Sequence, residues 1–196
     1  MILPASFYSR STLDVLENLV GMVLVRKSED GLFSGIIVEA EAYRGEDDPA
    51  SFAFRGRTKK SEMLYGPPGR AFVYLTYGKH YLLNVITERQ DFPAAVLIRA
   101  LEPLEGISIM KKRRKTESLL NLCSGPGKLC EAFGIDLALN GVSVYSSRSS
   151  LFIKEENGKE KRKKELIWRP RIGIREGMDK LWRVYIKESP FISVKS

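Results

Sequence analysis

The stretch Gly35-Ile36-Ile37-Val38-Glu39-Ala40-Glu41-Ala42-Tyr43 constrains the fold of this chain more than any other. Its first half is apolar and β-branched, which predicts a buried strand, placed here from Leu32 to about Tyr43. Alternate residues of a strand share a face, so Glu39, Glu41 and Tyr43 are expected to point the same way. Two carboxylates and a phenol at the end of an apolar strand admit two readings. One is a polar edge facing solvent, the commoner arrangement. The other is a general base beside a stacking aromatic. A carboxylate next to an apolar pocket has its charged form destabilised, which raises its proton affinity and suits it to take a proton from water. Paired carboxylates also hydrolyse glycosidic bonds, so cleavage of a sugar–base or of a sugar–sugar bond fits the pair.

Around that strand, short apolar runs alternate with turn residues. Ser11-Thr12 precedes Leu13, Leu16, Leu19 and Val20 at helical spacing, with Gly21 as a stop, which predicts a capped amphipathic helix. Met22 to Arg26 reads as a strand and Ser28-Glu29-Asp30-Gly31 as a turn. Glu46 to Gly69 is polar and rich in Gly and Pro, a long loop with one helical turn near Glu62. Loops that long in a compact domain are usually functional. Arg70 to Tyr77 and Tyr81 to Thr87 flank Gly78-Lys79-His80 and predict a hairpin. Ala94 to Ala100 is a further strand. Pro103 is expected to open a helix to about Lys112, and Ser124 to cap another that ends at Gly134. Phe152 to Trp168 holds Glu156-Asn157-Gly158 in a charged stretch and predicts an exposed hairpin, about 150–167. Strands near Arg171 to Ile174 and Trp182 to Ile186 close the chain. Many strands and about three helices, in no βαβ order, predict an α+β fold with a mainly antiparallel sheet. A single domain over 1–196 is expected.

Composition limits the partners. Hydrophobic residues make up 43% of the chain, enough for a core. No apolar run approaches the ~20 residues of a membrane span, and Met1-Ile2-Leu3-Pro4 lacks a signal-peptide pattern. An intracellular protein is expected, in cytoplasm or nucleoid in a prokaryote and in the nucleus otherwise. A net charge of +8 favours polyanions. The densest basic runs, Lys111-Lys112-Arg113-Arg114-Lys115 and Lys159 to Lys164, read as solvated faces. Cys123 and Cys130 sit seven apart, on one helical face and too far apart to bridge within one helix; they read as small buried hydrophobes. His80 is the one histidine, so no Ser-His-Asp triad, zinc site or other metal or cofactor is expected.

Further motifs carry possible chemistry. Tyr74-Leu75-Thr76-Tyr77-Gly78-Lys79-His80-Tyr81 puts three tyrosines around a hairpin tip. Aromatic strand residues commonly pack a sheet face, but Tyr77 beside Gly78 has few packing partners and is placed to wedge into a base stack. Asn84 is either a hydrogen-bonded core residue or a reader of a base edge. Arg99 closes an apolar strand, where a buried charge needs a partner. Ser124-Gly125-Pro126-Gly127-Lys128 resembles a phosphate-binding helix start, without the full Walker pattern.

Four motifs in order resemble the alkyladenine (3-methyladenine, methylpurine) DNA glycosylases: Ile37 to Tyr43, Val73 to Gly78, Leu97-Ile98-Arg99-Ala100-Leu101-Glu102-Pro103, and Cys123 to Cys130. The resemblance runs from about Leu13 to Val194. It implies a curved sheet with a protruding hairpin that intercalates into double-stranded DNA, and a monomer. It assigns Glu41 to activating the attacking water, with Arg99 and the backbone of Ile172 positioning that water. Tyr43, Ala50, Phe52, Tyr74, Asn84 and Ile172 form the pocket for the flipped base. Tyr77 fills the vacated stack, Asn84 hinders normal guanine, and Ser124, Gly125 and Lys128 meet the DNA backbone. Phe52 stands where the family usually has histidine, keeping a stacking surface and losing the imidazole's polar contacts. No lysine is expected beside the sugar, hence no strand cleavage. The residues alone leave two rivals: a non-catalytic DNA-binding module, and an RNA- or sugar-directed hydrolase using Glu39 and Glu41.

Overall fold

The long apolar strand organises the sheet. In the computed structural model, which describes residues 1–156 and 165–194, β1 (Val23–Ser28) turns back on β2 (Gly31–Arg44), in register from Ser28↔Gly31 to Val23↔Ile36. β3 (Ala71–Thr76), β4 (His80–Ile86) and β5 (Ala94–Glu105) follow as an antiparallel meander, and β5 pairs along β2. β6 (Leu151–Lys154) adds to the outer edge of β1, giving the order β3-β4-β5-β2-β1-β6. β7 (Leu166–Arg169) pairs β8 (Arg183–Ile186), and β8 pairs β2 at Glu39 to Glu41.

One edge of β2 therefore carries β1 up to Ile36 and β8 from Glu39 onward. At that changeover the pairing with β5 shifts register, between Ile37 and Glu39 and again between Glu39 and Ala40. Such irregularities bend a strand and increase its twist, and the sheet is curved accordingly. Helices cover it. α1 (Ala5–Tyr8) and α2 (Thr12–Leu19) precede the sheet, and α3 (Ile107–Arg114) and α4 (Pro126–Phe133) follow β5. α2 lies on β2, and α4 on β4 and β5. Val15, Leu16 and Leu19 of α2 and Leu129, Ala132 and Phe133 of α4 share one core with Ile37, Leu83, Ile98 and Leu101 of the sheet. The fold is the expected α+β class. No helix among the described residues is long and apolar enough to cross a membrane.

Several expected boundaries move, each for a local reason. Pro103 lies in β5 rather than opening a helix. It faces Gly35 beside a register shift, where a residue without an N–H is tolerated in a sheet. The helix starts after Gly106, whose φ of +82° and close approach to the Phe33 ring exclude a side chain. Gly125, not Ser124, caps α4, because Pro126 takes the first helical position with its pre-set φ. Cys123 precedes α4, so the two cysteines do not share a helix; both are free and buried. Ser11 makes no side-chain cap; instead Glu88 accepts from the Thr12 backbone and hydroxyl at 2.8 Å each. Arg171 to Ile174 is a loop rather than a strand, its first side chain drawn inward to an acidic partner. β6 and β7, expected to pair across the charged stretch, pair with β1 and β8 instead. The Asn157-Gly158 turn and the Lys159–Lys164 run lie outside the described residues.

Candidate active site

The irregular end of β2 places both carboxylates inside the molecule. Glu39 and Glu41 have no accessible surface, which excludes the solvent-facing edge. β5 covers one flank of this segment and β8 the other, and arginines supply the compensating charge. Glu41 Oε2 accepts from Arg99 Nη1 at 3.1 Å and from Tyr43 Oη at 2.9 Å. Its Oε1 accepts from the Ile172 backbone N–H at 2.7 Å. Glu39 accepts from Arg99 Nε at 3.3 Å, Arg183 Nη1 at 3.0 Å, the Ser193 N–H at 2.6 Å and the Ser193 hydroxyl at 2.9 Å. Buried charges persist only when paired and hydrogen-bonded; here two carboxylates share two guanidiniums.

The two carboxylates differ in their surroundings. Glu39 has donors on both oxygens from four groups. Glu41 has three donors, and its Oε1 takes one of them alone. Burial pushes the Glu41 carboxyl above the usual carboxylate range; the Arg99 charge, then the Ile172 amide and the Tyr43 hydroxyl, pull it back in part. Burial, then the adjacent Glu41 charge, pushes the Tyr43 phenol well above its ordinary value, so it stays a donor at neutral pH. Tyr74 is likewise pushed up to about 12, chiefly by burial.

A cleft of about 660 Å³ opens over this cluster. Tyr43, Arg99 and Ile172, the three residues that donate to Glu41, all line it; Glu41 stands behind them. Ala50, Phe52, Tyr74 and Asn84 line it as well. Phe52 meets the Tyr74 ring edge-on, with centroids 4.8 Å apart and planes at 78°. Asn84 is buried and donates Nδ2 to the Phe72 carbonyl at 3.2 Å. Thus every residue expected in a base pocket borders one cleft, although their numbers run from 43 to 172.

Tyr77 also lines the cleft and is 95% exposed. It sits in the β3–β4 turn, where the Lys79 N–H donates to the Thr76 carbonyl at 3.0 Å. Tyr77 and Gly78 both have positive φ, +50° and +64°. That geometry favours Asn or Gly, so a bulky aromatic there is held at a local cost of order 1–3 kcal/mol. The start of α4 abuts the same hairpin: a Cβ on Gly127 would lie 3.1 Å from the His80 Cβ. Lys128 Nζ reaches Asn121 Oδ1 at 3.2 Å and Ser124 Oγ at 3.4 Å. Ser124, Gly125 and Lys128 lie beside the cleft's Pro126 and Gly127, not in its lining.

Sequence reasoning missed five contributors, among them Arg183, which donates to Glu39. Arg171 and Asp48 form a fully buried two-pronged pair, Nη1–Oδ2 at 2.6 Å and Nη2–Oδ1 at 2.7 Å. Arg171 also donates to the Ala42 carbonyl at 3.0 Å, and its guanidinium lies 4.8 Å from the Tyr43 ring centre. The pair ties the loop that carries Ile172 to the end of β2. Ser193 ties the C-terminal segment to Glu39. Lys60 lines the cleft, with Nζ 4.1 Å from the centre of the Phe52 ring. No local pattern marks these residues, since Asp48 and Arg171 stand 123 positions apart.

Comparison with known proteins gives a consistent result. Residues 6–190 match the family model described as methylpurine-DNA glycosylase. A protein of Carboxydothermus hydrogenoformans is 44% identical over 100% of both chains. One of Prosthecochloris aestuarii is 44% identical over 97% of this chain and 90% of its own. One of Methanocella arvoryzae is 45% identical over 100% of this chain and 97% of its own. Each of the three bears the name "Putative 3-methyladenine DNA glycosylase".

Proposed function

The chain belongs to the methylpurine-DNA glycosylase family, and from that premise we propose that it hydrolyses the N-glycosidic bond of a flipped, damaged purine with a water activated by Glu41. The observation that carries this reading is the Glu41 carboxylate itself. It is buried, its proton affinity is raised, and its three donors form the wall of an aromatic cleft.

The reaction follows from the groups in place. The basic surface, with Lys128 and the start of α4, docks on the phosphates of double-stranded DNA. Tyr77 enters the stack as the damaged nucleotide flips; damage lowers the cost because pairing is already weak. Tyr43, Phe52 and Tyr74 hold the base, at roughly 1–3 kcal/mol per stacked base. Glu41 has no accessible surface in the free protein, so entry of the base must part the residues in front of it before a water reaches the remaining lone pair of Oε1. The water's proton passes to the carboxylate while its oxygen bonds to the sugar carbon. The sugar–nitrogen bond breaks, and its electrons leave with the base. A methylated, cationic purine such as 3-methyladenine or 7-methylguanine leaves neutral and needs no proton. Hypoxanthine and ethenoadenine, which are neutral, need one. The Glu41 charge also stabilises the oxocarbenium-like transition state. Arg99 keeps that charge in place, and Glu39 anchors Arg99 rather than acting as a second base. Water rather than an amine displaces the base, so the product is an abasic site in an intact strand. The enzyme acts as a monomer.

Single-turnover assays on duplexes carrying one alkylated or deaminated purine test this. Base release that disappears in Glu41→Gln, with DNA binding retained, is the expected result. Binding without base release by the wild type would leave a DNA-binding module, and borohydride trapping of the protein on the DNA would overturn the water mechanism.

A further inference from the structure

Five tyrosine and phenylalanine rings line the cleft, and two of them, Tyr43 and Phe52, lie close to a cation. The guanidinium of Arg171 lies near Tyr43, but Asp48 neutralises it through two buried hydrogen bonds. The ammonium of Lys60 lies over Phe52 at 4.1 Å, and Lys60 is exposed and takes part in no ion pair among the described residues. Arg99, another cation of the lining, is held by Glu39 and Glu41. Among the described residues, Lys60 is thus the uncompensated positive charge on the aromatic wall.

A ring attracts a cation through the negative face of its quadrupole. With an ammonium already over one face of Phe52, that face is taken and a second cation gains less from the ring. A base carrying its own positive charge meets a like charge beside its stacking partner. A neutral purine meets no such repulsion, and an acceptor on its edge, such as a carbonyl oxygen or a ring nitrogen, can take a hydrogen bond from the ammonium. We propose that Lys60 is a specificity-determining residue of the cleft, which shifts its preference from cationic towards neutral, acceptor-bearing purines. The inference rests on the glycosylase reading of the cleft but makes a separate claim, about charge selection.

The test compares Lys60→Met and Lys60→Gln with the wild type on two duplexes of one sequence, carrying hypoxanthine or 7-methylguanine. Base release is measured in single turnover. Affinity is measured on the same duplexes with a 2′-fluoro sugar, which resists cleavage. Both variants should raise the 7-methylguanine to hypoxanthine ratio, in rate or in affinity, by about two- to thirtyfold, the span of cation–π strengths. An unchanged ratio overturns the proposal whatever happens to the absolute rates. A uniform loss of affinity for both duplexes, with the salt dependence reduced by about one charge, would make Lys60 a phosphate contact instead. If the wild type releases neither base yet the affinity ratio shifts as expected, the charge selection stands and the glycosylase reading falls.

Discussion

Replacing Tyr43 with phenylalanine tests the state of Glu41 directly. The substitution keeps the ring that faces the cleft and removes one donor, the hydroxyl 2.9 Å from Glu41 Oε2. A hydrogen bond to a charged group is worth about 1.5–3 kcal/mol, and about 1.4 kcal/mol corresponds to one pH unit. Loss of this donor should therefore raise the proton affinity of Glu41 by about one to two pH units. The sign follows from the role of the group. Glu41 takes a proton only as a carboxylate, so base release climbs as pH rises through its ionisation. Burial already places that climb above the usual carboxylate range, and Tyr43→Phe should move it further up. The assay is single-turnover base release against pH, at saturating protein, on one lesion for both proteins, so that titration of the base itself cancels. A lower plateau with an unmoved midpoint would refute the reasoning, because the hydroxyl would then act on the base or the water rather than on Glu41.

Three further outcomes are expected. Because the Glu41 pKa is raised on folding, its neutral form contributes stability that is full below the unfolded value of about 4.3 and is lost as pH rises through the folded value; the melting temperature of Glu41→Gln minus that of the wild type should therefore increase with pH across that window. Asp48→Asn leaves the buried Arg171 guanidinium uncompensated and should cost about 3–5 kcal/mol in urea unfolding; a loss under 1 kcal/mol would mean that the pair is not desolvated in solution. Tyr77→Ala removes a side chain that is almost fully exposed, so stability should change by less than about 0.5 kcal/mol, while a fluorescent base analogue beside the lesion should report less flipping; an unchanged signal would remove the wedge role.

Much of the fold was legible because its signals are local. The β-branched run from Ile36 to Val38, the turn at Gly31, the glycine that follows Tyr77 at the hairpin tip and the spacing of Leu16 and Leu19 each depend on neighbours within a few positions. Pro103 and Ser124 misled for the converse reason. Each carries a helix-start signal, and the structure used one at a sheet irregularity and passed over the other because Pro126 fixed the start. A proline or serine cannot state which of its permitted settings the tertiary packing will choose.

The sequence by itself determined an α+β chain, an apolar strand ending in two carboxylates and a tyrosine, a tyrosine-tipped hairpin, and motifs sufficient to suggest the family. Only the tertiary structure decided that Glu39 and Glu41 are buried and unequal. Strand alternation puts them on one face, but the change of partner from β1 to β8 and the donors from Arg99, Arg183, Ile172 and Ser193 set them apart. Desolvation and charge pairing act through space, over separations of 58 to 154 positions in the chain. The affinity of Glu41 for a proton is therefore a property of the folded cleft and not of the strand that carries it.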